Sequence, residues 1–484
     1  MNREKLTILD LLERSAAKTP DSPAIVAFEK TVSYRELTAR SQALGRALLK
    51  ETARPVVALF FPTSPEFAAA YLGVLYAGKQ ALPLNLLLPP AELKYIVDDS
   101  GTGLIVAPPE LAPKLSPLGV KVANFAELCA KSSNAALPRP GPDDICTLLY
   151  TSGTTGRPKG VELTHWSLAF DASSSVEMMR LAAEHRFLAC LPSFHTFAIT
   201  ATMLAPLAAG ASFATLPKFD PEAVLKITSE LKCNTLMMVP SMYRLVTRMQ
   251  ERRPHEVHLR LAIAGGEALP AEVRENFEKV FGVPLLEGYG QTETGPVISF
   301  NMPWANQPGT VGKPIPGVEV QIVEPDTQRV LPPRTTGEIC ARGPNLMKGY
   351  HNRPEETAQV LSPDGWLKTG DMGELTADGY IRITGRLREM IKVSGEMVFP
   401  AEVEAAILAH PAVFEAGVAG AKDERKGEMV KAYVVLKPGL QATADDLLAH
   451  CRNVLAAYKV PRAIELRTEL PKGPTGKVLR RFLK

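Results

Sequence analysis

The sequence predicts an α/β fold: a large N-terminal domain of parallel sheets covered by helices, a small β-rich unit, and a small mobile α+β C-terminal domain. Three observations predict it. Over roughly the first 380 residues, helix signals alternate with short apolar runs, the grammar of parallel sheets covered on both faces. After about residue 307 the pattern becomes β-rich and is punctuated by proline and glycine. At 484 residues the chain is also too long for a single core.

Taken in order, Ser33-Tyr34-Arg35-Glu36 is a capping box, and Leu37, Leu44 and Leu48 continue it along one helical face. Residues 55–61 read as a strand. Ser64-Pro65-Glu66 then opens a helix with proline at its first position, and Gly78 closes it. The same grammar puts a helix at 220–231 before a strand at 234–239. It repeats with a helix at 270–281, ended by Gly282, before a strand at 283–286. Residues 311–342 read as a small antiparallel unit, and Asp378-Gly379 between two short runs is a hairpin signal. Near the C-terminus, 400–408 and 443–457 read as helices and 429–436 as a strand. The joint falls near Arg386 to Arg388, which gives domains 1–386 and 387–484.

Composition removes several functional classes. The chain is 45% hydrophobic and 22% charged with a net charge of +3, so it lacks the basic excess of a nucleic-acid binder. Its six cysteines are scattered without a CxxC pair, which argues against a zinc site or a disulfide framework and for a reducing, cytoplasmic setting. His255 and His258 have the wrong spacing for HExxH zinc ligation. The opening MNREKLTILDLLERS has charges where a secretory signal needs an apolar core. Residues 197–216 form twenty uncharged positions, but Pro206 and Gly210 interrupt them, so they read as buried helix, turn and strand rather than a membrane span.

The chemistry concentrates in Tyr150-Thr-Ser-Gly-Thr-Thr-Gly-Arg-Pro-Lys-Gly160. A strand at 145–150 runs into glycines, four hydroxyl residues and a lysine. Glycines let backbone N–H groups approach an anion, and hydroxyls with an ammonium satisfy phosphate oxygens. The run is not the GxxxxGK[ST] phosphate loop, because its glycines are three apart and Lys159 precedes glycine. Gly288-Tyr-Gly-Gln-Thr-Glu293 begins like a dinucleotide fingerprint but fails it at Glu293. Further on come Ala264-Gly-Gly-Glu-Ala-Leu269, Lys368-Thr-Gly-Asp371, Gly385-Arg-Leu-Arg-Glu-Met-Ile-Lys392 with Ser394-Gly395, and Pro471-Lys-Gly-Pro-Thr-Gly-Lys477.

Together, and in this order, these motifs resemble the adenylate-forming superfamily, and most of all its AMP-forming acyl-CoA synthetases. The resemblance implies an acid–thiol ligase that uses ATP, Mg²⁺ and coenzyme A. By residue-for-residue match, Thr151, Ser152, Gly153, Thr154, Thr155 and Lys159 would cradle phosphates. Gly266, Glu267, Gly288 and Tyr289 would flank the adenine, Thr292 would meet the α-phosphate, and Glu293 would bind the metal. Asp371, at a strand end, would accept the ribose hydroxyls with Arg386 beside it. Lys477 would be the adenylation lysine, and His195 would line the acyl pocket. Lys392, Ser394 and Gly395 would serve the pantetheine tunnel, and Arg388 would be the hinge of a rotating C-terminal domain.

No charge falls at the pocket positions that the resemblance places between Phe194 and Phe300, which argues against amino acids and dicarboxylates, and the stretch from Gly295 to Val360 most resembles medium- or long-chain fatty-acyl-CoA synthetases. Coumarate- or benzoate-type acids are the alternative substrates, and a carrier protein is the alternative acceptor. A homodimer stays open. Asp171 sits in a Phe-Asp-Ala-Ser run that mimics an amine-binding motif, but it lies too close to Gly160 to be that motif and reads as a polar residue of the following helix.

Overall fold

A computed structural model describes residues 4–28, 30–151, 157–393, 396–423, 427–471, 478 and 480–483. Two compact units emerge: Met1–Glu319 with Ala341–Leu367, and Val320–Cys340 with Lys368–Lys484. The joint expected near Arg386 to Arg388 falls inside the second unit, because the strands on its N-terminal side group with the C-terminal module.

The first unit holds two sheets, nine-stranded and seven-stranded among the described residues. In the larger, strands Pro23–Val26, Ser212–Thr215, Arg186–Ala189, Thr235–Met238, Leu261–Ala264 and Leu285–Tyr289 run parallel in that spatial order. In the smaller, Lys121–Ala123, Leu104–Val106, Val56–Leu59, Gln80–Pro83 and Ile145–Thr151 do the same. Away from the edge strand Lys121–Ala123, most of these runs are largely buried, as parallel strands covered on both faces must be. Each sheet then ends in an antiparallel step. Leu285–Tyr289 pairs with Ser299–Phe300, and Ile145–Thr151 pairs with Lys159–Thr164, which in turn pairs with Gly349–Tyr350.

Local sequence explains the helices that cover the sheets. Ser33 caps Tyr34–Glu51 and Glu36 returns the bond, completing the expected box. Pro65–Tyr76 begins on Ser64 with proline at its first position. Ala271–Phe281 stops at Gly282 in the left-handed conformation. The core of the larger sheet includes Tyr243, whose ring meets Phe277 edge-on at 5.0 Å and whose hydroxyl donates to Leu236 and Ile263 carbonyls.

Residues 197–216 fold as a buried helix, a turn and strand Ser212–Thr215, but the helix differs from expectation. Phe197–Leu204 winds as a π-helix before Ala205–Ala208 resumes the α pitch. Pro206 brings no N–H to the preceding turn, and the Ala205 N–H reaches back five residues to Thr200. Among the described residues no helix is long and apolar enough to cross a membrane.

The second unit carries a four-stranded sheet in the order Glu319–Val323, Gly337–Arg342, Leu367–Leu375, Ile381–Arg386. The last two strands form the hairpin signalled by Asp378-Gly379, with Gly379 at φ +79°. Asp371 proves to lie inside Leu367–Leu375, not at a strand end, because pairing with Arg386 carries the ladder past it. The C-terminal module follows: strands Ile391–Val393, Glu396–Val398, Val413–Asp423, Gly427–Leu436 and Ala463–Leu466, with helices Pro400–Leu408 and Ala444–Val454.

Removing the Ser33 hydroxyl leaves an N–H of the Tyr34–Glu51 helix uncapped. Ser33→Ala should lower stability by about 1 kcal/mol, read as an earlier denaturant midpoint at unchanged slope.

Candidate active site

Both antiparallel steps of the first unit carry a motif singled out by sequence. At the smaller sheet the register sets Thr151 opposite Lys159 and Tyr150 opposite Gly160. The chain between them contains Ser152, Gly153, Thr154 and Thr155, which lie outside the described residues. Lys159 is mostly buried and forms an ion pair with Glu356, and its ammonium stands 5.0 Å from the centre of the Tyr350 ring. The Tyr350 hydroxyl donates to Glu293 Oε1 at 3.0 Å. Burial, with the Glu293 charge beside it, pushes the Tyr350 hydroxyl well above its ordinary pKa, so it stays a donor. Arg353 donates to Asp99 at 2.9 Å, Asp99 accepts the Tyr150 hydroxyl at 2.7 Å, and Arg353 lies 3.6 Å from Glu356. These groups tie the phosphate-loop lysine and Glu293 into one polar network.

At the larger sheet Gly288 and Tyr289 close strand Leu285–Tyr289, and Thr292–Thr294 forms a single 3₁₀ turn. The Gln291 N–H donates to Thr294 Oγ1 and the Glu293 carbonyl accepts the Met347 N–H at 2.8 Å. Thr196 Oγ1 reaches Thr292 Oγ1 at 3.4 Å. A Cβ on Gly290 would lie 1.7 Å from the Pro296 carbonyl oxygen, so only glycine fits there. Thr292 and Glu293 are half-buried.

Gly266 and Glu267 follow strand Leu261–Ala264, with Gly266 at φ +81°. Their loop is pinned by a residue that sequence reasoning missed: Glu287 Oε1 accepts the Leu269 N–H at 3.1 Å. Burial raises the Glu287 carboxyl to about 7, against the Leu269 N–H and Arg274, which both favour the anion. His195 precedes the π-helix with solvent access and stacks on Phe194 at 4.8 Å. Desolvation by crowding protein atoms lowers its pKa and favours the neutral ring.

In the second unit Asp371 is buried and Arg386 Nε donates to its Oδ1 at 2.6 Å, while Arg386 itself stays largely exposed. Arg388 lies in the 3₁₀ turn Leu387–Glu389, and Lys392 is exposed on Ile391–Val393. Ser394, Gly395 and Lys477 lie outside the described residues. Arg480, three residues beyond Lys477, makes a bidentate pair with Glu404 at 2.8 and 2.6 Å and a further pair with Glu389.

This geometry offers a half-buried carboxylate, a lysine and hydroxyls at the ends of parallel strands, where α/β sheets bind phosphorylated ligands. The profile of AMP-binding enzymes matches residues 12–351, and that of the AMP-binding enzyme C-terminal domain matches 402–477. The chain belongs to the AMP-binding enzyme family. This AMP-binding enzyme is 36% identical over 529 residues to a long-chain-fatty-acid–CoA ligase of Bacillus subtilis, covering 99% of the chain and 94% of that protein. It is 35% identical to a feruloyl-CoA synthase of an Amycolatopsis species over 96% of both chains. The solved o-succinylbenzoate coenzyme A synthetase of Bacillus subtilis, in complex with ATP and magnesium ion, matches with a TM-score of 0.88 at 31% identity over 98% of both chains. This AMP-binding enzyme is accordingly an adenylate-forming acid–CoA ligase.

The structure therefore brings Thr151, Lys159, Thr292 and Glu293 to the ends of two sheets of one unit and pairs Asp371 with Arg386 in the other. Tyr350, Glu356 and Glu287 were not found from sequence, since none stands in a Gly-rich or hydroxyl-rich run. The Glu287 carboxyl links stability to pH. Its raised value in the fold favours the native state below the unfolded carboxyl range, about 4.5, and that contribution fades as pH climbs through about 7. Glu287→Gln has no proton to lose. Its unfolding temperature should gain on that of the wild type between about pH 5 and pH 8, and parallel curves would exclude this role.

Proposed function

We propose that this AMP-binding enzyme activates a medium- or long-chain fatty acid with ATP and passes the acyl group to coenzyme A. The observation that carries the fatty-acid reading is the likeness to the long-chain-fatty-acid–CoA ligase across 99% of the chain. The uncharged, buried helix Phe197–Leu204 beside His195 supports it, because such a wall favours an alkyl chain over a charged acid.

The reaction would run in two steps. The acid's carboxylate attacks the α-phosphorus of ATP and pyrophosphate leaves, giving an acyl adenylate. The thiol of coenzyme A then attacks the acyl carbon, loses its proton, and displaces AMP. In this reading Thr151 to Thr155 and Lys159 hold phosphate oxygens, with Thr292 on the α-phosphate. Gly266, Glu267, Gly288 and Tyr289 flank the adenine, while Asp371 and Arg386 serve the ribose. Before the nucleotide binds, Glu356 satisfies Lys159 and Tyr350 satisfies Glu293, so neither charge is left bare.

The residues fit a magnesium ion. That cation keeps several waters and is bound through one or two carboxylates plus substrate phosphates. Glu293 supplies one carboxylate, and no larger cluster of ligating side chains occurs among the described residues. When bound, magnesium neutralises triphosphate charge. Lys477 would stabilise the charge that spreads as the acyl oxygen meets phosphorus. Lys392, Ser394 and Gly395 would serve the pantetheine arm, after rotation about Arg388 exchanges one half-reaction for the other.

Three measurements test this reading. Turnover should release AMP and pyrophosphate, and release of ADP and phosphate would exclude it. Each methylene added to the acid should strengthen binding by about 0.8 kcal/mol, roughly fourfold, until the pocket is full. A flat response from butyrate to decanoate with rapid turnover of cinnamates would assign an aryl acid instead. Lys477→Ala should lose about 10²–10³ in adenylation rate, or ~2.7–4 kcal/mol, while pre-made acyl adenylate restores near-normal transfer to coenzyme A.

A further inference from the structure

Helix His165–Met179 is buried on nearly every face, and in its middle sits Asp171, with no exposed surface at all. Asp171 Oδ2 accepts the Val297 N–H at 2.8 Å. Its Oδ1 is buried and has no hydrogen-bond partner among the described residues. Two other fully buried side chains grip the same stretch. Thr200, on the π-helix, donates from Oγ1 to the Gly295 carbonyl at 2.9 Å. Asn345 donates from Nδ2 to the carbonyls of Thr294 and Val297 at 3.0 and 2.6 Å, and its own Oδ1 is also unpartnered. Three distant parts of the chain thus hold the backbone of residues 294–297.

The stretch has no slack. Gly295 stands at φ +71°, and a Cβ there would lie 2.9 Å from the Asn345 carbonyl oxygen and 3.1 Å from Asp171 Oδ2. Just before it lie Thr292 and Glu293: the Thr292 carbonyl accepts the Gly295 N–H, and the two residues are also met by Thr196, Tyr350 and Met347. We propose that Asp171 is a positioning residue for the phosphate and metal side chains: with Thr200 and Asn345 it clamps residues 294–297 and thereby sets Thr292 and Glu293. This inference rests on the reading of those two residues as nucleotide and metal ligands.

The clamp works with Asp171 as a neutral acid. A buried carboxylate with one N–H donor is costly, and burial accordingly raises the Asp171 carboxyl well above its ordinary range, with only the Val297 N–H pulling the other way. A protonated Oδ1 is a donor. Protonation leaves no charge on the buried Oδ1, which has no donor to satisfy it among the described residues.

Asp171→Asn keeps the acceptor for Val297 and replaces the acid O–H by an amide N–H, whereas Asp171→Ala removes both. In full-length protein, half-saturating Mg²⁺ and the KM for ATP should rise about tenfold in Asp171→Ala, as loss of a buried contact to the Val297 N–H predicts, and stay within about threefold of wild type in Asp171→Asn. Should Asp171→Ala fail to fold, Thr200→Val removes the hydroxyl on Gly295 and should raise the same two parameters. Stability lost with both parameters unmoved would make the residue merely structural and overturn the inference. An Asn variant as impaired as the Ala variant would overturn the neutral-acid arrangement. Glu293→Gln, measured alongside, separates the two levels. If it shifts the Mg²⁺ requirement and Asp171→Ala does not, this inference alone fails; if neither shifts it, the reading of Glu293 fails as well.

Discussion

Everything at the site depends on one change of direction, made twice. In each sheet of the first unit the central parallel run gives way on one side to an antiparallel partner, Ser299–Phe300 in the larger and Lys159–Thr164 in the smaller. A parallel connection needs a crossover of a dozen or more residues, usually a helix, which carries the chain away from the strand end. The antiparallel step lets the chain return at once. Strand Ile145–Thr151 ends, and Lys159–Thr164 begins, at the same end of the smaller sheet, and Leu285–Tyr289 and Ser299–Phe300 do likewise at the larger. The register then decides which side chains meet. A slip by one residue in Ile145–Thr151 against Lys159–Thr164 would send Lys159 to the opposite face and break its pair with Glu356.

Within each unit, charge is managed by pairing rather than by exposure. Lys159 is held by Glu356, Glu293 by Tyr350, and Asp371 by Arg386. Each pair is partly or largely out of water, where an unpaired charge is expensive. Any ligand that took up one of these charges would do so in exchange for the partner it already has, so its net gain would be smaller than its list of contacts suggests.

Much of the framework was legible because its signals are local. Capping at Ser33 and Ser64, the stop at Gly282 and the turn at Asp378-Gly379 each depend on a few adjacent residues, and all four formed where expected. The π pitch of Phe197–Leu204 was not legible, since an apolar run has the same composition at either pitch. Asp371 was placed at a strand end because the ladder that extends past it is set by a partner strand fifteen residues away. Within the site, the phosphate-loop motif is contiguous and could be read. Tyr350, Glu356 and Asp171 act across separations of more than fifty residues, and Glu287, though it adjoins the Gly288 motif, bonds a loop 18 residues back. Asp171 even resembled a motif to which it does not belong.

The closed turn at Gly290 has a mechanical consequence. With the Pro296 carbonyl close to Gly290, the Tyr289 carbonyl bonded to Ile298 and the Gln291 N–H bonded to Thr294, residues 289–298 form a closely tied turn. A tightly packed ring of this kind has low compressibility and moves as one piece. Tyr289, Thr292 and Glu293 thus keep fixed mutual distances, like teeth cut on a single key. Movement in this part of the unit therefore falls on the softer surroundings, the long side chains of Lys159, Glu356 and Arg353, whose rotamers can change without moving the main chain.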